Sequence, residues 1–199
     1  MIQHLRPAFV LLVLFTLLTG IVYPLAVTGV AAVALPQHAG GEMITRDGVV
    51  VGSALIGQNF VSEHYFQPRP SATSAPDPKD ASKTIDAPYN AGNSGGSNLG
   101  PTSQALVDRV KAAVAAKREA GWQGALPADA LTTSASGLDP EISPQNAFAQ
   151  VPSVAKARGL QEAKVRDLVA AHVEGRLFGV LGEPRVNVLM VNLALDALK

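Results

Sequence analysis

From Pro7 to Gly41 the chain carries no Asp, Glu, Lys or Arg, and this charge-free run limits every reading of the rest. Within it, Ala8 to Val30 is dominated by Leu, Val, Ala, Phe and Ile. A bilayer core about 30 Å thick is crossed by roughly 20 apolar residues in helical form. The stretch is long enough for that. Lipid offers no partners to backbone polar groups, so a helix is the expected conformation. Pro24 removes one N–H and can kink such a helix, a defect that membrane helices tolerate. Gly20, with Thr16 and Thr19, forms a small-residue patch of the kind that lets a second helix approach closely. Thr16, Gly20 and Pro24 are therefore candidate helix–helix contacts.

The flanks set the orientation. The short N-terminal side carries His4, Arg6 and the free amine, whereas the distal side is bare until Glu42, Arg46 and Asp47. The positive-inside rule keeps residues 1–6 in the cytoplasm, assigns 7–35 to the membrane helix and its flank, and places 36–199 outside. Ala32-Val33-Ala34 matches a small-x-small cleavage pattern, so a removable signal peptide is the alternative. The apolar run exceeds the roughly 7–15 residues of a signal core, which favours an uncleaved anchor. Sixteen basic and sixteen acidic residues balance to a formal net charge of zero. That argues against nucleic acid, whose binding needs a basic surface to displace counterions. With no Cys among 199 residues, neither disulfides nor thiolate metal sites are available.

Beyond the anchor the pattern predicts one loop-rich α+β domain. Gly48 to Gly52, followed by Ala54-Leu55-Ile56, reads as one or two short strands. Residues 67 to 101 read as irregular, broken by Pro68, Pro70, Pro76, Pro78 and Pro88. A helix is expected from an N-cap at Thr102, with Leu106, Val107, Val110, Ala113 and Val114 on one face, ending before Gly121. Leu131-Thr132-Thr133 suits a short strand. Ser143-Pro144 is a helix start that Pro152 should stop, with a further helical turn from Ser153 to Gly159. Glu162 to Glu174 has helical spacing. Val186 to Val191 reads as a buried strand, and Asn192 as the cap of a short last helix through Asp196.

Several residue groups invite a functional reading. Ser94-Gly95-Gly96-Ser97-Asn98 suggests a phosphate loop, but Leu99-Gly100-Pro101 stands where that loop needs Gly-Lys-Ser/Thr. A plain turn with left-handed glycines is preferred over a backbone anion nest. Ser136, Asp139 and His172 would make a nucleophilic triad for an anchored hydrolase, yet no Gly-x-Ser-x-Gly elbow is present. His172, beside Val169 and Val173, reads rather as a hydrogen-bonded, partly buried side chain. In Ser136-Gly137-Leu138-Asp139-Pro140, Gly137 permits positive φ, Asp139 can accept local backbone N–H bonds and Pro140 fixes the next φ. Tyr65-Phe66-Gln67-Pro68-Arg69-Pro70-Ser71 pairs aromatic anchors with Arg69 in a stiff extended run. It is either a loop pinned to the core or a partner contact through Tyr65, Phe66 and Arg69. Gly182-Glu183-Pro184-Arg185 reads as a turn closed by its own ion pair. The four His have no metal-ligand spacing.

Taken in order, these motifs resemble the C subunit of the Kdp-type potassium-transporting P-type ATPase. The matching runs are 52–58, 65–71, 94–101, 136–144, 182–189 and 192–196, behind a single N-terminal helix. Glu141 departs from the pattern, in which another polar residue such as His is expected. The resemblance implies a non-catalytic subunit of a potassium pump in the bacterial inner membrane. Its implied partners are a channel-like transport subunit, a P-type subunit that hydrolyses ATP and a small single-helix subunit. It further implies a catalytic chaperone that raises the ATP affinity of the hydrolytic subunit, with Gln150 helping to hold a shared nucleotide. No tightly bound cofactor is implied. The residues themselves supply no phosphate-binding signature, and a neutral Gln brings no charge to offset a triphosphate.

Overall fold

The computed structural model describes residues 2–198, which divide after Ser53 into two compact units. In the first, helix α1 (Ile2–Leu17) runs through a π-helical turn (Leu18–Val22) into α2 (Tyr23–Ala34). The continuous helix from Gln3 to Ala34 is long and apolar enough to cross a membrane, and its most apolar window is wholly exposed. The π turn ends two residues before Pro24, which has no N–H to give back to the preceding turn. Thr19 donates to the Phe15 carbonyl at 2.6 Å, so its hydroxyl is satisfied within the helix. A short α3 (Pro36–Ala39) leads to the antiparallel hairpin β1 (Met43–Arg46) and β2 (Val49–Ser53). Asp47 and Gly48, at φ 52° and 78°, form its two-residue turn. Asp-Gly is the residue pair that such a turn selects, because both positions need positive φ. Strand β1 goes beyond the expected elements, while Ala54-Leu55 forms a turn and Ile56 a single β-bridge instead of a strand.

In the second unit a second hairpin, β3 (Ser74–Asp77) and β4 (Asp80–Asp86), occupies part of the stretch expected to be irregular. Pro76 sits in β3 beside a register shift, a place where an edge strand tolerates a missing donor. Pro78 starts the turn, and Asp77 Oδ1 accepts from the Lys79 N–H at 2.8 Å. Helix α4 (Gln104–Glu119) follows, capped at Ser103, one residue later than Thr102. Leu131-Thr132-Thr133 is turn, not strand, after a 3₁₀ turn at Ala128–Ala130.

The remaining elements build the core. They are β5 (Glu141–Ile142), α5 (Pro144–Arg158), α6 (Glu162–Ala171), β6 (Val173–Glu174), β7 (Arg185–Asn187) and α7 (Val188–Ala197). The three strands pair antiparallel in the order β5-β7-β6. Ser143 caps α5 by accepting from the Asn146 N–H at 3.1 Å, and Gly159, at φ 66°, ends it. Pro152 does not stop this helix. Its ring lies on the exposed face, while Val151, Val154 and Ala155 beside it are buried. An interior Pro costs about 3 kcal/mol, and burying one Val returns about 1.5–3 kcal/mol, so the apolar face carries the helix through. The run Val186 to Val191 changes structure midway. Asn187 is the cap of α7, its Oδ1 accepting from Met190 N–H at 3.1 Å, and Asn192 lies buried inside that helix. Phe66, Ile142, Ala147, Val151, Val165, Val169, Val186, Val191 and Leu195 form the apolar centre.

Two glycines of the expected loops are explained by space. Gly96 has no left-handed conformation; a Cβ there would lie 2.7 Å from the Ala135 carbonyl oxygen. Gly137 does adopt positive φ, at 69°, and its Cβ would also meet the Thr73 methyl and the Gly95 carbonyl. Gly137→Ala should therefore lower stability by about 1–3 kcal/mol. Thermal unfolding of the full chain in mild detergent checks this; an unchanged midpoint would contradict the packing.

Candidate functional site

Between α5 and α7 the 65–71 segment passes without forming a strand. At Phe66 and Gln67 the backbone hydrogen bonds go instead to two side-chain amides. Asn192 Oδ1 accepts from Phe66 N–H at 2.8 Å and Asn192 Nδ2 donates to the Phe66 carbonyl at 3.0 Å. Gln150 repeats this one residue later, with Oε1 accepting from Gln67 N–H at 2.7 Å and Nε2 donating to the Gln67 carbonyl at 3.0 Å. Each primary amide has the donor and acceptor spacing of a peptide edge. The second Nε2 hydrogen of Gln150 goes to Asn146 Oδ1 at 3.0 Å. Asn146 Nδ2 donates to Asp129 Oδ2 at 3.0 Å, and Asp129 also accepts from the Ser143 hydroxyl and N–H. Phe66 is fully buried, while Gln150 is 4% exposed.

The flanks of the segment are tied as firmly. Arg158 donates to Asp196 Oδ1 at 2.7 Å and to the His64 carbonyl at 2.6 Å. Its guanidinium lies 4.7 Å over the Tyr65 ring, whose hydroxyl reaches Asp196 Oδ2 at 3.3 Å. Arg69 donates to Asp139 Oδ2 at 2.8 Å and to the Thr133 carbonyl at 3.1 Å. Tyr89 hydroxyl donates to the Arg69 carbonyl at 2.8 Å. Burial, then the Asp139 carboxylate, pushes the Tyr89 phenol far above its usual range, with Arg69 opposing.

Beside the clamp lies a cavity of about 440 Å³, lined by Gln150, Gln67, Tyr65, Lys117, Trp122 and Lys156 among others. Lys117 Nζ sits 4.7 Å over the Trp122 ring, and burial lowers its pKa. Arg118 donates to the Trp122 carbonyl at 2.8 Å and so holds the end of α4 in place. The cavity combines an aromatic wall, two lysines, the Glu63 carboxylate and an amide floor.

These clamps fall on the motifs 65–71, 136–144 and 192–196, and the comparisons with known proteins span the whole chain. A family model described as "KdpC: K+-transporting ATPase, c chain" matches residues 5–197. The chain belongs to the KdpC family. The "Potassium-transporting ATPase KdpC subunit" of Methylobacterium nodulans is 62% identical over 198 residues, covering 100% of this chain and 98% of that one. The protein of the same description from Rhodopseudomonas palustris (strain BisB18) is 60% identical over 199 residues, the full length of both. That from Bradyrhizobium diazoefficiens is 59% identical over 196 residues, 98% of each.

Within this KdpC chain the residues singled out from sequence fall in separate places. Thr16, Gly20 and Pro24 lie exposed along the apolar helix, and a Cβ on Gly20 would meet nothing within 4 Å. Tyr65 and Arg69 are half-buried on the clamped segment, and Phe66 spends its side chain on the core. Ser136, Asp139 and His172 are not assembled. His172 ends α6, its Nδ1 2.8 Å from the Leu168 carbonyl, and no hydrogen bond joins it to the other two among the described residues. Ser136 Oγ accepts from Leu138 N–H at 3.1 Å and reaches Asp139 Oδ1 at 3.4 Å, as in a tight turn. Asp139 is committed to Arg69 and not to local N–H groups. Gly95 N–H donates to the Ser136 carbonyl at 2.8 Å and the Ser94 hydroxyl donates to the same oxygen at 3.0 Å, so the glycine run is spent on packing. Glu183 and Arg185 do not pair. Glu183 meets Arg176 at 2.6 Å, and Arg185 meets Glu174 at 3.0 Å and Glu141 at 3.5 Å. Lys117, Trp122 and Lys156 are not legible as a group in the sequence, because nothing local joins the end of α4 to the outer side of α5.

Gln150→Ala should cost about 2–4 kcal/mol, since it strands the buried Gln67 groups and Asn146 Oδ1. Denaturant unfolding measures this, and a loss under about 0.5 kcal/mol would show the clamp to be dispensable. Glu141 supplies a pH test. Burial raises its carboxyl above the ordinary 4.5, more than Arg185 lowers it. The folded form then holds the proton more tightly than the unfolded one, so this group favours folding below that value and its contribution is lost as pH rises through the raised pKa. Glu141→Gln should flatten the loss, visible as a melting difference between variant and wild type that grows as pH rises above the ordinary carboxyl value of 4.5.

Proposed function

We propose that this chain is the accessory C subunit of an ATP-driven, high-affinity potassium uptake pump. The observation that carries the proposal is the family match over residues 5–197, combined with an apolar helix from Gln3 to Ala34 whose most apolar window is wholly exposed. In this reading the helix spans the bacterial inner membrane once and remains uncleaved. His4 and Arg6 stay in the cytoplasm, and the α+β domain lies on the periplasmic side. The partners are the channel-like transport subunit, the P-type ATP-hydrolysing subunit and the small single-helix subunit. Catalysis belongs to the hydrolytic partner. This chain stabilises the assembly, through the helix face bearing Thr16, Gly20 and Pro24 and through the edge of the clamped segment at Tyr65 and Arg69. A rigid segment suits that task, because it loses little conformational freedom when it binds.

A catalytic-chaperone role with shared nucleotide is the second reading, and the cavity beside Gln150 favours it. Lys117 and Lys156 offer charge and Trp122 a stacking face, whereas both ends of the Gln150 amide are already spent on Gln67 and Asn146. Under this reading the lysines grip the nucleotide and Gln150 holds the floor in shape. Joint replacement of Lys117 and Lys156 by Ala would then raise the KM for ATP of the assembled pump about tenfold, while a pure scaffold leaves it unchanged.

Purification in mild detergent tests the main proposal. The full chain should bring down the transport and hydrolytic subunits, and a chain lacking residues 1–35 should lose them and fail to restore potassium-limited growth. Full recovery by the truncated chain would show the anchor to be dispensable.

A further inference from the structure

The loop between β6 and β7 presents apolar side chains outward. Leu177, Phe178, Val180 and Leu181 are 61%, 87%, 73% and 60% exposed. The tip is ordered by its own backbone: Leu177 N–H donates to the Leu181 carbonyl at 2.9 Å, and Leu181 N–H donates back to the Leu177 carbonyl at 3.0 Å. Phe178 and Gly179, at φ 53° and 74°, are two residues of the turn. Such positions ordinarily take Asn, Asp or Gly. A bulky residue with positive φ is a true outlier. Here a Phe occupies that position and lies almost fully in solvent, a placement with no folding benefit. Strain at an exposed apolar residue points to use by a partner.

The charges at the neck indicate the kind of partner. Arg176 pairs with Glu183, and Arg185 with Glu174 and Glu141. Two guanidiniums against three carboxylates leave the neck with one net negative charge. The 175–184 loop has no Lys, Trp or Tyr. An anionic lipid surface is poorly matched by an acidic neck, because such a surface attracts clusters of Lys and Arg.

We propose that the Leu177–Leu181 tip is a preformed plug that docks into an apolar hollow with a basic rim on another protein subunit. The inference rests on the accessory-subunit reading and adds a contact surface to it, away from the clamped segment. Because the chain has no Cys, Val180→Cys introduces a single thiol and leaves Phe178 in place. With a membrane-impermeant maleimide, that thiol should react about tenfold more slowly in the purified complex than in the full chain alone in detergent. In vesicles of phosphatidylcholine and phosphatidylglycerol holding the full chain alone, it should react at the unprotected rate. Phe178→Gly relieves the backbone strain, so the free chain should melt no lower than wild type, yet copurification should fall several-fold. Equal labelling in complex and free chain, protection by vesicles alone, or unchanged copurification of Phe178→Gly would each overturn the plug. If the wild-type chain copurified with no other subunit, the accessory reading itself would fall and the plug with it.

Discussion

Backbone groups that leave water must find partners, and in the second unit this requirement is met at one place by side chains instead of a sheet. Phe66 and Gln67 pass between α5 and α7 without forming a strand. Asn192 and Gln150 each close a two-bond ring onto one of these residues. The rest of the core depends on this. Phe66 is held at zero exposure among Val151, Val191 and Leu195, which fixes α5 relative to α7. The Gln150–Asn146–Asp129–Ser143 chain then links the clamp to the helix cap of α5. A polar network of this kind is strong only when every member is satisfied, and here both ends of the Asn192, Gln150 and Asn146 amides have partners.

That arrangement decides how the functional residues are to be understood. Gln150 looks exposed to solvent chemistry when viewed as one polar residue on a helix. In its setting it is a backbone surrogate. The same holds for Asp139, which neutralises Arg69 and steadies a loop, and for His172, which finishes a helix. At these three positions, residue types that elsewhere do chemistry hold the framework of the domain.

Legibility from sequence follows the range of the physics. Ser143-Pro144 and Gly159 mark the ends of α5 because capping is local. The apolar helix is evident from the lack of charge alone. The pinning of Tyr65–Ser71 is readable in outline from its aromatics, but the amides that do much of it lie 83 and 126 residues away, and no spacing rule reaches that far. Prolines mislead in both directions. Pro152 reads as a stop where its exposed ring is harmless to packing, and Pro76 and Pro78 hide a hairpin that the Asp-Pro-Lys-Asp turn could reveal. The Val186–Val191 run divides into strand and helix because β-branched apolar residues fit both, and the Asn187 cap, not hydrophobicity, places the change.

The widened turn at Leu18–Val22 has a geometric consequence. Each π turn acts as one extra residue in an α-helix, and one residue corresponds to about 100° of rotation about the axis. The stripe that faces a given neighbour along α1 therefore does not continue straight into α2 but steps around the cylinder at Gly20. Two helices lying against opposite flanks of this rod can each be met by one half of it, so a single unbranched element can act as a wedge between two bodies.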